Sequence, residues 1–170
     1  MAAGRAPQVA TAAGFLARLA AVRRRLAAHA ARAERPAGQT AADARTGERW
    51  DDGQVWAHLA EFQPYWLAQL GSVAEAARAG GGSEPVAVPF GRTAADAARA
   101  AAIERDRTIP ATALHARVQA QAEATAAFLR GLDARGWSAV GLHPTLGAMA
   151  MPAMVERFLI GHLEEHADQL

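Results

Sequence analysis

Long alanine-rich segments, in which larger apolar residues recur every three or four positions, restrict the fold of this chain more than any other feature. Alanine has the highest helix propensity of all residues, and apolar residues at this spacing fall on one face of an α-helix. The first such segment predicts a helix from about Pro7 to Arg32. Its buried stripe consists of Phe15, Leu16, Leu19, Val22 and Leu26. No convincing strand pattern is found in the sequence, so we predict an all-α fold.

The second helix has a defined beginning. Asp51 is a good N-cap, and Gln54 follows it three residues later, which is the pattern of a capping box. The apolar spacing then continues until the run of glycines that begins at Gly80. Pro64 falls inside this helix, where its ring removes one backbone hydrogen bond, so we expect a kink there and not an end.

The rest of the chain contains three more helical segments. A short helix is predicted from Thr93 to Arg105, and a third long helix from about Pro110 to Leu132. The segment 136–147 is rich in turn residues, and the last helix begins near Pro152 and continues to the end of the sequence. The sequence therefore predicts one domain, residues 1–170, with the fold of a four-helix bundle.

Charge and composition exclude several classes of function. The formal net charge is +1, which does not favour a nucleic-acid partner. The chain has no cysteine, so it has neither disulfides, nor thiolate ligands, nor a cysteine nucleophile of its own. No apolar run approaches the roughly 18 residues of a membrane span. We therefore expect no membrane partner and a cytoplasmic location.

Two histidines in the last helix share its apolar face. His162 and His166 are four residues apart, and they follow the same stripe as Phe158, Leu159 and Leu163. Side chains at this separation lie about 6 Å apart on a helix, so one metal ion can take a nitrogen from each ring.

The second helix offers a third ligand. His58 lies on the buried stripe of Val55, Leu59 and Phe62, and so it also points into the bundle. A single inward histidine is more often a hydrogen-bonded core residue than a ligand, and an inward pair is often structural too. Three inward histidines, in a chain with six, favour a metal site.

The connections of the chain provide a separate test of this site. His58 is near the start of the second helix, whereas the other two histidines are near the end of the last one, so the three meet only if these helices are antiparallel. An up-down-down-up bundle satisfies this condition, but it needs a connection that crosses a bundle about 30 Å long. The segment from Gly80 to Ile109 is long enough to be that crossover.

The sequence His162-Leu163-Glu164-Glu165-His166 also matches the H-x-x-E-H pattern of some metallopeptidases, in which the glutamate acts as a general base. Such enzymes take a further ligand from well downstream. Only four residues follow His166, so the third ligand is better found upstream, at His58. Glu165 is then expected to lie outside the ligand set or in solvent.

Three segments carry a resemblance to a known family. WDDGQVWAHL at 50–59 and HLEEHADQL at 162–170 resemble the two histidine motifs of the DinB-like superfamily. His143, Pro144 and Gly147 are similar to the family's approach to its last helix. The resemblance covers the whole domain. It implies an up-down-down-up bundle, often dimeric, in which His58, His162 and His166 hold one divalent metal ion.

The resemblance also implies a class of reaction. The superfamily includes bacillithiol S-transferases and mycothiol-dependent maleylpyruvate isomerases. In the isomerase branch a glutamate stands at the position of His162, so this chain is more similar to the S-transferases. We therefore expect a metal-dependent enzyme that joins a low-molecular-weight thiol to an electrophilic small molecule. A non-catalytic bundle that binds a metal or a ligand is the alternative.

The identity of the metal and the rim of the pocket follow from the same reasoning. Three nitrogen ligands suit zinc, nickel or iron(II), and the sequence does not choose among them. The topology brings several further side chains to the end of the bundle that holds the histidines. The candidates for the rim are Trp50, Gln54, His29, His115 and Arg117.

Overall fold

A computed structural model describes residues 12–32, 39–41, 49–80, 86–93 and 96–170. The chain is mostly helical, as the sequence predicts. The helices are α1 (Ala12–Ala30), α2 (Asp52–Ala79), α3 (Ala97–Asp106), α4 (Ala111–Gly131), α5 (Ala134–Ser138), α6 (Met151–Val155) and α7 (Gly161–Ala167), with a π-helical turn at Glu156–Ile160 between the last two. The strands are β1 (Val88–Pro89), β2 (Val140–His143) and β3 (Gly147–Ala150).

Helix α1 has the predicted buried face. Phe15, Leu19, Val22 and Leu26 are almost inaccessible to solvent, whereas Leu16 is only partly buried. The predicted start at Pro7 lies outside the described residues, and the helix ends at Ala30, close to the predicted end. Full burial of a side chain of this size stabilises the fold by about 1.5–3 kcal/mol.

Helix α2 begins as the sequence predicts. The Asp51 carboxylate accepts a hydrogen bond from the backbone N–H of Gln54 (2.8 Å), and the Gln54 side chain accepts one from the backbone N–H of Asp51 (3.0 Å). The helix continues through Pro64, whose ring is exposed, and Gly80 caps its end. The expected kink at Pro64 stays a prediction.

Helix α2 lies at the centre of the packing. It contacts α3, α4, α5 and the C-terminal helical segment, and α1 packs against α4 and α7. The largest fully buried side chains include Trp56, Leu59, Leu70, Leu114, Leu129, Met151 and Leu159. One apolar core therefore connects all the long helices. None of the helices in the described ranges is long and apolar enough to cross a membrane.

A small sheet corrects the prediction that the chain has no strand. Strands β2 and β3 form an antiparallel hairpin from Val140↔Ala150 to His143↔Gly147, and β1 pairs in parallel with β2. The strands contain only two to four residues, and β3 consists of Gly-Ala-Met-Ala, so neither alternation nor β-propensity reveals them. Tertiary packing stabilises them: a Cβ at Gly141 would lie 2.6 Å from Phe90, so this strand fits only with glycine there.

The last helix begins at Met151, next to the predicted Pro152, but it is not a regular α-helix. In its π-helical turn, the backbone N–H of Gly161 bonds to the carbonyl of Glu156, five residues earlier. A Cβ at Gly161 would lie 2.7 Å from that carbonyl oxygen, so glycine permits the turn. The Gln63 side chain donates a hydrogen bond to the carbonyl of Leu159 (3.0 Å) within the same turn. We call the whole segment, residues 151–167, the C-terminal helix.

Candidate metal centre

Two helices bring three histidines together. His58 lies in the second turn of α2, and the capping box at Asp51 fixes where that turn begins. His162 and His166 lie on α7, directly after the π-helical turn. His58 and His166 are buried (1% and 8% exposed), and His162 is half-buried. We call these residues the three-histidine cluster.

The rings of the three-histidine cluster face one another. The Nε2 atoms of His58 and His162 are 3.0 Å apart. The ring centroids of the three pairs are 4.4–4.9 Å apart. One nitrogen from each ring can be chosen so that all three lie within 4.8 Å of one another. The prediction that these three histidines lie close enough to hold one metal ion is confirmed.

Burial keeps the cluster neutral. It lowers the pKa of His58 and of His162 well below the usual value, and the neighbouring histidines lower both further. Burial also lowers the pKa of His166, although its hydrogen bond to Gln169 opposes this effect. Neutral imidazole is the form that binds a metal, so the rings are prepared for coordination at neutral pH.

The spacing of the ring nitrogens fits a divalent ion. Two nitrogen ligands about 2.1 Å from one ion, at angles between about 90° and 109°, lie about 3.0–3.4 Å apart. The His58 and His162 Nε2 atoms have this spacing. Among the described residues, His58 Nδ1 has no hydrogen-bond partner, so the position of its ring is set by packing.

An outer hydrogen bond orients the third ring. His166 Nδ1 lies 2.6 Å from the Gln169 Oε1 atom, one helical turn later. Because an amide oxygen only accepts, Nδ1 carries the proton and donates, which leaves Nε2 of His166 unprotonated and able to bind an ion. Metal-binding histidines usually donate their other N–H in this way.

Two aromatic rings enclose the cluster. Phe62 stacks on His162 with ring centroids 3.5 Å apart, and it meets His58 edge to face. The Trp50 ring lies parallel to the His166 ring, with centroids 6.1 Å apart. The centroid of the Trp50 ring is 5.0 Å from that of His58. Its backbone N–H donates to the Thr40 hydroxyl (2.9 Å), which attaches Trp50 to the segment before α2. These rings cover two sides of the cluster with apolar surface.

Of the five candidate rim residues, the contacts bring one to the cluster. Trp50 lies against it, whereas Gln54 belongs to the capping box. The ring of His115 meets Trp56, and its Nε2 atom lies 2.9 Å from the Gln119 amide. Arg117 forms an ion pair with Asp106 (3.1 Å). His29 lies in the last turn of α1. The interpretation of Glu165 as solvated agrees with its exposure.

Sequence reasoning missed three contributors to the site. Phe62 follows His58 by four residues, and Gln169 follows His166 by three, so helical spacing could have identified both. Arg99, from α3, lies with its guanidinium carbon 5.4 Å from the centre of the Trp50 ring. No signal in the sequence places it there, because the position of α3 depends on tertiary packing.

Comparison of the chain with family models, with curated proteins and with solved structures found no match. The likeness of its two histidine motifs to the DinB-like superfamily therefore stays a prediction.

Proposed function

We propose that this chain is a metal-dependent enzyme of the DinB-like type that joins a low-molecular-weight thiol to an electrophilic small molecule. The observation that carries the proposal is the meeting of three neutral imidazoles from two helices, with ring nitrogens at the spacing of metal ligands. The metal would be zinc, nickel or iron(II), held by His58, His162 and His166.

The proposal includes an up-down-down-up arrangement of the four long helices. The contacts between α2 and α4 occur in the same order along both helices. The Gln121 side chain donates a hydrogen bond to the Ala60 carbonyl, and one turn later the Thr125 hydroxyl donates one to the Gln63 side chain. This order supports a parallel pair. Contacts between α2 and the C-terminal helix run in opposite order, since His58 meets His162 whereas Trp66 stacks on Phe158. That order supports an antiparallel pair, with residues 80–109 as the crossover.

His58, His162 and His166 would hold a divalent ion with at least one coordination position open, and the chemistry that the ion would supply is a lowered pKa for an incoming thiol. The thiol comes from outside, because the chain has no cysteine. Its sulfur forms a bond to the electrophilic carbon, the leaving group departs with the bonding electron pair, and the thiol proton goes to solvent. Phe62 and Trp50 would present apolar surface to the reacting groups, and Gln169 would keep His166 in the tautomer that can coordinate.

The second candidate is a bundle that binds a metal or a small molecule without catalysis. The burial of His58 and His166, together with the two aromatic rings against them, favours this alternative because it restricts access to the ring nitrogens.

The resemblance to the family also implies a homodimer. Sedimentation equilibrium of the purified protein tests this.

Thiol transfer by the metal-loaded protein tests the enzyme proposal. We expect mycothiol or bacillithiol to react with an electrophilic dye such as monobromobimane faster than without protein. The acceleration should vanish on chelation and return when metal is added, because no protein group replaces the ion. His115→Ala is the matched control, since the ring of His115 contacts Trp56 and Gln119, and it should retain the rate. A rate that survives complete metal removal would eliminate the mechanism.

A further inference from the structure

The π-helical turn at Glu156–Ile160 lies directly before the two histidines that the C-terminal helix contributes to the three-histidine cluster. A turn closed by an i→i+5 hydrogen bond holds one residue more than an α-helical turn. In a regular α-helix each residue turns the chain by about 100° and advances it by about 1.5 Å. If this turn became α-helical, α7 would rotate by about 100°. His162 and His166 would then leave the face that meets His58.

The contacts of Arg18 show how the turn aligns the two halves of the C-terminal helix. The guanidinium of Arg18, on α1, donates hydrogen bonds to Glu156 (2.5 and 2.7 Å) and to Glu164 (2.5 and 3.0 Å), one on each side of Gly161. Side chains at this separation point about 80° apart in a regular α-helix, whereas the extra residue of the wide turn reduces the angle to about 20°. One guanidinium reaches both carboxylates because the turn brings them to nearly the same face.

A buried glutamine of α2 bonds to the turn itself. Gln63 has no solvent exposure, and its Nε2 atom donates a hydrogen bond to the carbonyl of Leu159 (3.0 Å). The equally buried Thr125 hydroxyl donates to the Gln63 Oε1 atom (3.4 Å), which orients the amide. A side chain that inserts into the backbone hydrogen bonds of a helix is a known cause of departure from regular α-helical geometry. The bond from Gln63 therefore stabilises the wide turn against a regular α-helix.

We infer that Gln63 is a positioning residue of the three-histidine cluster: it holds the π-helical turn, and the turn directs His162 and His166 toward His58. This inference rests on the metal site of the proposed function. Gln63 contributes no ligand and acts through the backbone of Leu159. The affinity of the cluster for a divalent ion therefore depends on a hydrogen bond that lies outside the cluster.

The first arm of the test compares two glutamines that both donate to a backbone carbonyl. Gln63→Met has nearly the same shape as the wild type but lacks the donor, so its zinc affinity should fall about tenfold. The visible spectrum of its cobalt-substituted form should also change, because the three nitrogens no longer converge. Gln121→Met loses the bond to the Ala60 carbonyl and should match the wild type in both readouts. Competition with a coloured chelator measures zinc affinity. Wild-type affinity and spectrum in Gln63→Met overturn the inference.

The second arm tests whether Gln63 acts through the register of the helix. A regular α-helix that is one residue shorter gives α7 the same orientation as the wide turn does. Deletion of the exposed Arg157 should therefore restore zinc affinity to Gln63→Met. A folded deletion variant that binds zinc as weakly as Gln63→Met overturns the inference.

Gly161→Ala disturbs the turn without a change at Gln63. Alanine has the higher helix propensity, but its Cβ would lie 2.7 Å from the Glu156 carbonyl oxygen in the wide turn. This variant should therefore favour a regular α-helix and bind zinc more weakly than the wild type. Undiminished zinc affinity in Gly161→Ala would show that the turn does not direct the histidines.

The third arm needs no metal. The Nε2 atoms of His58 and His162 are 3.0 Å apart, so the ring protons beside them should show a nuclear Overhauser effect in the metal-free wild type. Gln63→Met should lose this effect, and Gln121→Met should keep it. If the wild type binds no zinc but the effect depends on Gln63, the proposed function fails and the positioning role stands. An unchanged effect in Gln63→Met overturns the positioning role.

Loss of the whole fold has to be separated from loss of the register. Circular dichroism and urea unfolding of each variant detect it, and a fall in stability alone leaves the zinc affinity of the folded protein unchanged. If Gln63→Met is unfolded, Thr125→Val takes its place in all three arms, because it removes the hydroxyl that orients the Gln63 amide. Its effects should have the same direction and a smaller size, and wild-type values in Thr125→Val would then overturn the inference.

Discussion

Two neighbouring groups of rings along α2 bury histidine in different ways. The three-histidine cluster is enclosed by Trp50 and Phe62, and Phe62 also contacts Trp66 at 5.6 Å. Trp66 belongs to a second group, the His143 cluster, which consists of His143, Trp66, Phe90 and Phe158. Burial is the largest cause of a lowered pKa in both groups.

The difference lies in the partners of the ring nitrogens. His143 Nδ1 accepts hydrogen bonds from the backbone N–H groups of Thr145 (3.2 Å) and Leu146 (3.3 Å), so it closes the β2–β3 turn. His58 and His162 instead point their Nε2 atoms at each other. A buried histidine with backbone partners stabilises the fold, whereas ring nitrogens that converge on one point are arranged for a ligand. Burial alone does not distinguish the two.

The largest expected effect is on stability in the presence of zinc. At a thousandfold excess over its dissociation constant, zinc should raise the free energy of unfolding of the wild type by about 4 kcal/mol, because it binds only the folded state. His143→Asn should lower the free energy of unfolding without zinc but keep the rise that zinc causes. His162→Ala should lose that rise. Urea unfolding with and without zinc measures both. An equal increment in His162→Ala would remove the distinction between the two clusters.

The pH dependence of the metal-free protein should also differ between the clusters. The lowered pKa of His58 and of His162 keeps these rings neutral in the folded state, whereas the unfolded chain takes up protons below a pKa of about 6.5. The unfolded state then binds more protons than the folded state. The contribution of these two rings to the free energy of unfolding is therefore complete above about pH 6.5, and it is lost as the pH falls. The loss is about 1.4 kcal/mol per pH unit for each ring.

Urea unfolding between pH 5 and pH 7.5 measures this slope. The double variant His58→Phe, His162→Phe should lose most of it, whereas His143→Phe should lose less, since the pKa of His143 is lowered to a smaller degree. Equal slopes in the wild type and the double variant would show that these rings are not held neutral.

A smaller effect is expected from the outer partner of His166. Gln169→Ala removes the acceptor for Nδ1, so the ring is less well oriented, and zinc affinity should fall about 10- to 100-fold. Gln119→Ala is the matched control, because Gln119 lies against His115 and not against the cluster. Competition with a coloured chelator measures both affinities. If the two glutamine variants bind zinc equally, the Gln169 contact has no part in the site.

The helices and the histidines could be predicted because local rules determine them. The capping box of Asp51 and Gln54 fixes the start of α2, and helical spacing then turns His58 inward. The same spacing places His162 and His166 on one side of α7. In these segments alanine-rich helix propensity, capping and the apolar stripe all favour the same structure, so sequence patterns suffice.

The remaining features depend on tertiary contacts. Strands β2 and β3 exist because they pack on the core, and their own residues favour a sheet only weakly. The π-helical turn needs Gly161 and a hydrogen bond from Gln63 on another helix. Arg99 lies over Trp50 because α3 packs against α2, which periodicity within α3 cannot reveal. Local sequence therefore identified the three histidines and Trp50, but not the contacts that depend on how the helices pack.

Elemental analysis of the purified wild type, His58→Ala and His166→Ala tests the central claim most directly. The three histidines come from two helices that are distant in sequence, so a shared site requires both. We predict about one divalent ion per chain in the wild type, and an equally strong loss in the two variants. Full metal content in His58→Ala, with loss only in His166→Ala, would contradict a site shared between α2 and α7.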